Sequence, residues 1–257
     1  KWINYFNLYK EIPEYKLLNF DMTLNEFKII FWWEWAHRQL GRLIGLSVLI
    51  PLIYFSIRNG YFILREYGII FILICFQGFM GWYMVSSGLI DRVDVSHYRL
   101  SIHLVTAFII LSIVFWKFLN LTEIEILSTS IKSYYIIFFI LLLFIQLIIG
   151  AFVSGMDAGS IYNTWPLMGT SYYPDDSRLV DFLSLNLFND PSIVQFIHRN
   201  LAYLIVIFYL FLLYFVLIKR YKRFYIPIFI IGLSLTFQIV LGVFTILSGV
   251  KIVYASL

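Results

Sequence analysis

The sequence predicts an all-α, polytopic transmembrane bundle with six spans, and three observations carry that prediction. Of 257 residues, 61% are hydrophobic and only 13% charged, with a mean hydropathy of +0.85. Soluble chains carry roughly 45–50% apolar and about 25% charged residues. Uncharged runs cover 67–90, 133–156 and 224–250, and each exceeds the roughly 20 residues that cross a bilayer as a helix. The remaining charges are grouped in the segments between apolar runs, with opposite balance in alternate loops. The bilayer is therefore the solvent that this chain is built for. The net charge of +4 is dispersed, which argues against a nucleic-acid partner.

The expected spans run over 30–57, 66–90, 97–117, 133–156, 191–218 and 224–250. Glu34, Arg38 and Arg42 sit near the start of the first. Thr23 followed by Glu26 is a capping-box pattern, so that helix is expected to begin near Leu24, outside the membrane. Asp190-Pro191 reads as the N-cap and first residue of the fifth. Loops after the odd-numbered spans carry Arg58 and Arg65, Lys117 and Lys132, and Lys219, Arg220, Lys222 and Arg223. The loop after the second balances Arg92 and Arg99 with Asp91 and Asp94, and the 157–190 segment is acidic. The positive-inside rule puts the basic set in the cytoplasm. The segment before the first span then lies outside, so a further span is expected before Lys1. The single cysteine, Cys75, reads as a small buried hydrophobe.

Three of the four histidines, His37, His103 and His198, fall early in the first, third and fifth spans. Successive spans alternate direction, so all three imidazoles are expected at one depth near the outer surface. Ionisable residues within spans are costly and mark function. Imidazoles from facing helices ligate a heme iron from both sides, and His37 and His103 are the natural pair. The alternative is an interhelical hydrogen bond. His97 lies about 240° around the helix from His103 and is read as interfacial. A zinc site wants more ligands than Glu34 beside His37 provides. Phosphate-binding loops, dinucleotide fingerprints and serine elbows are not found. Tyr83, Tyr162 and Trp165 fit an interfacial aromatic belt, and 157–169 is a candidate lid.

The chain also repeats itself at an offset of 161 positions. Glu34-Trp35-Ala36-His37-Arg38-Gln39-Leu40 matches Gln195-Phe196-Ile197-His198-Arg199-Asn200-Leu201, and Phe76-Gln77…Gly81…Ser87-Gly88 matches Phe237-Gln238…Gly242…Ser248-Gly249. Gln146…Gly150 is a related pattern. The repeat places a partner for His198 near position 264, so a further ligand and span are expected after Leu257. Three divisions are expected: 1–156 as an N-terminal half-bundle with the catalytic heme site, 157–190 as an outer connecting loop, and 191–257 as an incomplete C-terminal half-bundle with a second heme site.

The segments EFKIIFWWEWAHRQLGR (26–42), GWYMVSSGL (81–89), YRLSIHL (98–104), GAFVSGMDAGSIYNTWPLMG (150–169), VQFIHRNLAY (194–203) and QIVLGVFTILSGV (238–250) resemble the heme A synthase family, in its mitochondrial and proteobacterial branch. The resemblance runs over essentially the whole chain and implies an eight-helix fold of two pseudo-repeated halves, here without the first and last helices. It implies an enzyme that oxidises the C8 methyl of heme O to a formyl group by successive hydroxylations, giving heme A for cytochrome oxidase assembly. His37 and His103 are then the ligands of the catalytic site, and His198 is one ligand of a heme B site. Glu34 matches the family's functional glutamate. The lone Cys75 departs from relatives with paired cysteines in outer loops.

Glu34 and His37 are one turn apart and share a helix face, so a carboxylate can sit near the heme edge and move protons; an ion pair with Arg38 is the competing role. Arg38, Arg42 and Arg199 are placed to meet heme propionates or lipid headgroups. The partners to look for are heme O, heme O synthase, an electron donor, the lipid bilayer and a second copy of the chain. The expected location is a bacterial plasma membrane, or the mitochondrial inner membrane in a eukaryote. Two other functions fit less well. A two-heme electron-transfer cytochrome would keep its halves alike, yet Gln195 replaces Glu34. A transporter would collect polar residues at the midplane, whereas here they collect near one face.

Overall fold

The computed structural model describes residues 1–88, 95–122, 131–184 and 186–250. Asp91, Arg92 and Asp94, three of the charges used to orient the second loop, lie outside them, as does the end of the expected second span. The described chain is helical, with short 3-10 turns in its loops and one isolated bridge between Met168 and Ser171.

The first three long helices follow two short ones. The short helices are α1 (Trp2–Tyr9) and α2 (Pro13–Leu17), and the long ones are α3 (Leu24–Asn59), α4 (Phe62–Gly88) and α5 (His97–Leu121). After them come α6 (Ser133–Gly155), α7 (Pro191–Ile218) and α8 (Tyr225–Leu247). The last six are each long and apolar enough to cross a membrane. Their side chains explain why water is the wrong solvent. Ile226, Phe229 and Leu233 on α8 are exposed, and Ile228 is its one buried residue among those described. Such surfaces are stable only where lipid replaces water.

Both caps form as the sequence predicts. The Thr23 amide donates to Glu26 Oε2 at 2.8 Å while the Glu26 amide donates to Thr23 Oγ1 at 3.4 Å. Asp190 Oδ1 accepts from the amides of Ser192 at 2.9 Å and Ile193 at 3.1 Å, with Pro191 at the first helical position. Four donors at a helix start lack internal partners, and these side chains satisfy two amides at each start. At 36 residues α3 is roughly 54 Å long, well beyond the roughly 30 Å hydrocarbon core. Its surplus first turns pack against α1, where Phe6 and Phe27 are buried with ring centroids 5.3 Å apart.

The chain divides into two compact units, Lys1–Ile126 and Leu127–Leu257. In the first, α3 and α5 both pack on α4. Gly60, at φ 101, makes the turn from α3 into α4, a conformation that glycine adopts without a Cβ clash. Lys117 on α5 pairs with Glu66 on α4. In the second unit α6 and α8 pack on α7. Its core joins Phe139 and Leu142 of α6 to Ile205, Leu212 and Val216 of α7 and Ile228 of α8. Small residues permit close approach between spans: a Cβ on Gly232 of α8 would run into the Tyr209 hydroxyl of α7.

Cys75 is corrected: it is exposed. The face of α4 that carries Gln77 meets α5, and a residue two positions away lies about 200° around the helix.

Candidate functional site

Each histidine expected to act sits in the first half of a span. His103 is the seventh residue of α5 and His198 the eighth of α7, whereas His37 is the fourteenth of α3. His37 is exposed and His103 half-buried. They sit on the two helices that pack on α4. His97 opens α5, with its ring 4.2 Å from that of Tyr98.

His103 is seated by α4. The Gln77 side-chain amide donates to the His103 main-chain oxygen at 2.8 Å. One turn on, a Cβ added to Gly81 would lie 3.2 Å from His103 Cε1. The absent side chain is thus the space that the imidazole uses. His198 is seated by α6 in the same way. Gln146 Nε2 lies 3.3 Å from the His198 main-chain oxygen and 3.3 Å from its ring Nε2, and a Cβ on Gly150 would lie 3.2 Å from His198 Cε1. In both places the histidine Nδ1 and the glutamine Oε1 are buried and unbonded among the described residues.

Glu34 and Arg38 form an ion pair at 3.1 Å, both largely exposed. Their counterparts in the repeat, Gln195 and Arg199, are buried and do something else. Gln195 donates to the Tyr162 carbonyl at 3.0 Å. Arg199 donates to the carbonyls of Thr164 at 2.9 Å, Leu167 at 3.3 Å and Tyr162 at 3.0 Å. Irregular backbone leaves carbonyls without ladder partners, and a guanidinium answers several at once. Arg199, expected at a heme propionate, has its terminal nitrogens on this loop.

That loop is a fixed cap on the start of α7. Trp165 Nε1 donates to the Tyr203 hydroxyl at 3.1 Å, Tyr172 bonds Asn200, and Ser192 Oγ donates to Asp176 at 2.7 Å. Asn163 reaches the Ile246 carbonyl on α8 at 3.2 Å. The polar tips of Tyr162 and Trp165 bond to Asp176 and Tyr203 while Trp165 itself stays exposed, so both residues anchor the loop. Sequence reasoning missed Tyr203, Asn200 and Ser192 as loop anchors. Ser192 and Asn200, on either side of the HR pair, were the available signal.

Two carboxylates tie the loop to itself. The Thr170 amide and the Ser171 hydroxyl hold the Asp175 carboxyl below its usual range. Burial pushes the Asp176 carboxyl up, but hydrogen bonds from Ser192, Tyr162 and Ser177 outweigh it and leave it below the usual range. Burial, followed by the Asp176 hydrogen bond, pushes the Tyr162 phenol up. A depressed folded pKa stabilises above the unfolded value of about 3.9 and is lost as pH falls through the folded value. The cap is therefore expected to hold at neutral pH and to loosen below about pH 4. Hydrogen exchange pulse-labelled across 170–178 checks this; protection that stays flat down to about pH 3 would show that neither carboxylate holds the loop.

The donor set suits an axially ligated iron. Among the described residues no three or more histidine, cysteine or acidic side chains gather to cage a bare metal ion, while His103 and His198 each keep a buried nitrogen free of protein partners. Fold and site together define a multi-pass helical membrane protein with imidazoles seated in its spans. The chain belongs to the cytochrome oxidase assembly protein family, whose model matches residues 1–257. Over its whole length it is 46% identical to the heme A synthase of Pelagibacter ubique and 40% identical to that of Rickettsia bellii strain RML369-C, covering 76% and 78% of those proteins. Over 98% of its length it is 40% identical to the heme A synthase of Bartonella henselae, covering 72% of it.

Proposed function

We propose that this protein is an enzyme that oxidises heme O to heme A for cytochrome oxidase assembly. The observation that carries the reading is the setting of His37 and His103 on the two helices flanking α4, with Glu34 one turn from His37. In this reading His37 and His103 hold the heme O substrate in the first unit. His198 holds a heme B in the second, and that heme supplies an electron-transfer centre when bound.

The chain's own residues then divide the work. A hydroxylation that uses dioxygen and electrons from a donor takes up protons as the second oxygen atom leaves as water, and Glu34 is the carboxylate placed to relay one. Arg38, 3.1 Å from Glu34, keeps that carboxylate oriented and offers a cation to a propionate. Gln195 at the corresponding place does not titrate and binds backbone, so the second unit has no equivalent proton relay at that position. This asymmetry favours the synthase over a symmetric electron-transfer cytochrome. The capped start of α7 excludes water from the region around Gln195 and Arg199. We place the protein in a bacterial plasma membrane, fed by a heme O synthase and by an electron donor of the membrane.

The test supplies heme O during expression and separates the extracted hemes by chromatography. Wild type is expected to yield heme A. Glu34→Gln is expected to keep its hemes and lose heme A formation by about 100-fold, the scale of one acid–base group. Full activity in Glu34→Gln at unchanged heme loading would remove the proton role, and heme B alone despite available heme O would favour the cytochrome.

A further inference from the structure

Two places in this molecule, separated in sequence and in different units, have the same construction. On α4, Gln77 and Gly81 are four residues apart, and so are Gln146 and Gly150 on α6. Residues at that spacing share one helix face. In each case the glutamine amide donates to the main-chain oxygen of a histidine on the next span, at 2.8 Å for His103 and 3.3 Å for His198, and at the second place the amide also lies 3.3 Å from the ring Nε2. In each case the glycine leaves room for the Cε1 edge of the same ring, at 3.2 Å from a would-be Cβ. In each case the histidine Nδ1 and the glutamine Oε1 are buried without partners among the described residues. Buried polar atoms are normally satisfied, so two identical sets of orphans mark two places kept for something other than packing.

We infer that Gln77 with Gly81, and Gln146 with Gly150, are two copies of one positioning device that fixes the rotation of the His103 and His198 imidazoles. The inference rests on the reading of these histidines as heme ligands. The glutamine occupies the spare lone pair of a helix carbonyl, which sets the rotation of one helix against the other at the ligand's own residue. The glycine lets the Cε1 edge of the ring come up against the neighbouring helix, where an alanine methyl would press on Cε1. Together they leave the ring one orientation. Groups outside the ligand atoms orient metal-binding histidines and tune the metal, and here that part falls to a glutamine–glycine pair. Neither pair touches the reacting carbon, so these are positioning residues and not catalytic ones.

The experiment uses full-length protein loaded with heme B as the probe, read by low-spin electron paramagnetic resonance and by heme titration. Gln77→Leu is expected to shift the resonance of the first site and lower its heme affinity about tenfold, with the second site unchanged. Gln146→Leu is expected to do the converse. Gly81→Ala and Gly150→Ala keep the amide and add only the methyl, so they give the same site-selective shift should either leucine variant fail to fold. Resonances and affinities unchanged in loaded variants would overturn the inference alone. A wild-type protein that binds no heme would overturn it together with the heme reading beneath it.

Discussion

His103→Ala will abolish heme A formation and remove one low-spin signal from the loaded protein. The three heavy atoms nearest a Cβ on Gly81 all belong to this ring, and the alanine leaves that space empty. An axial ligand contributes directly to holding the iron, so the loss exceeds the roughly 10–100-fold that follows removal of an outer partner. The Gln77 bond is to the main-chain oxygen of position 103 and survives the substitution. The helix pair therefore persists, and circular dichroism is expected to stay that of wild type. Extracted heme content, heme A yield and the resonance spectrum are the measurements. Unaltered heme A yield in His103→Ala would refute the ligand assignment.

Arg199→Ala is expected to destabilise the second unit by about 3–5 kcal/mol, because hydrogen bonds to a charged group contribute about 1.5–3 kcal/mol each and buried acceptors left bare cost further. Of the three carbonyls that Arg199 answers, Tyr162 keeps Gln195 and Leu167 keeps the Thr164 hydroxyl as donors, so among the described residues the Thr164 carbonyl is the one left bare. Thr164 loses its side of the clamp while its hydroxyl still reaches the Leu167 carbonyl at 2.9 Å, which sets the lower end of the range. Arg199→Lys, with one nitrogen in place of a fork, is expected to fall between. Thermal unfolding in detergent measures the loss, and limited proteolysis within 162–178 locates it. A loop as protected in Arg199→Ala as in wild type would show that α7 and the aromatic anchors hold it without the guanidinium.

Glu34 and Arg38, and Gln195 and Arg199, show how one repeated pattern gives two outcomes. The shared HR core was visible in the sequence, and so was the change from Glu to Gln. What the change does was not visible. A carboxylate cannot donate to the Tyr162 carbonyl, whereas an amide can, so position 195 binds backbone and position 34 binds Arg38. The aromatic residues Tyr162 and Trp165 were legible as interfacial from their type, yet their bonding depends on Asp176 and Tyr203, which are distant in the chain. Cys75 was misplaced because composition within an apolar span does not say which face meets protein and which meets lipid.

By itself the sequence determined the six spans and the two helix caps, because bilayer thickness and unpaired amides act on local stretches of chain. It also led to the expectation that His37, His103 and His198 lie at one depth, since spans alternate direction. Only the tertiary structure decided that Gln77 and Gly81 seat His103, that Gln146 and Gly150 seat His198, and that Arg199 faces a loop. Those are relations between helix faces, fixed by how one span is rotated against another, and hydropathy carries no record of that rotation.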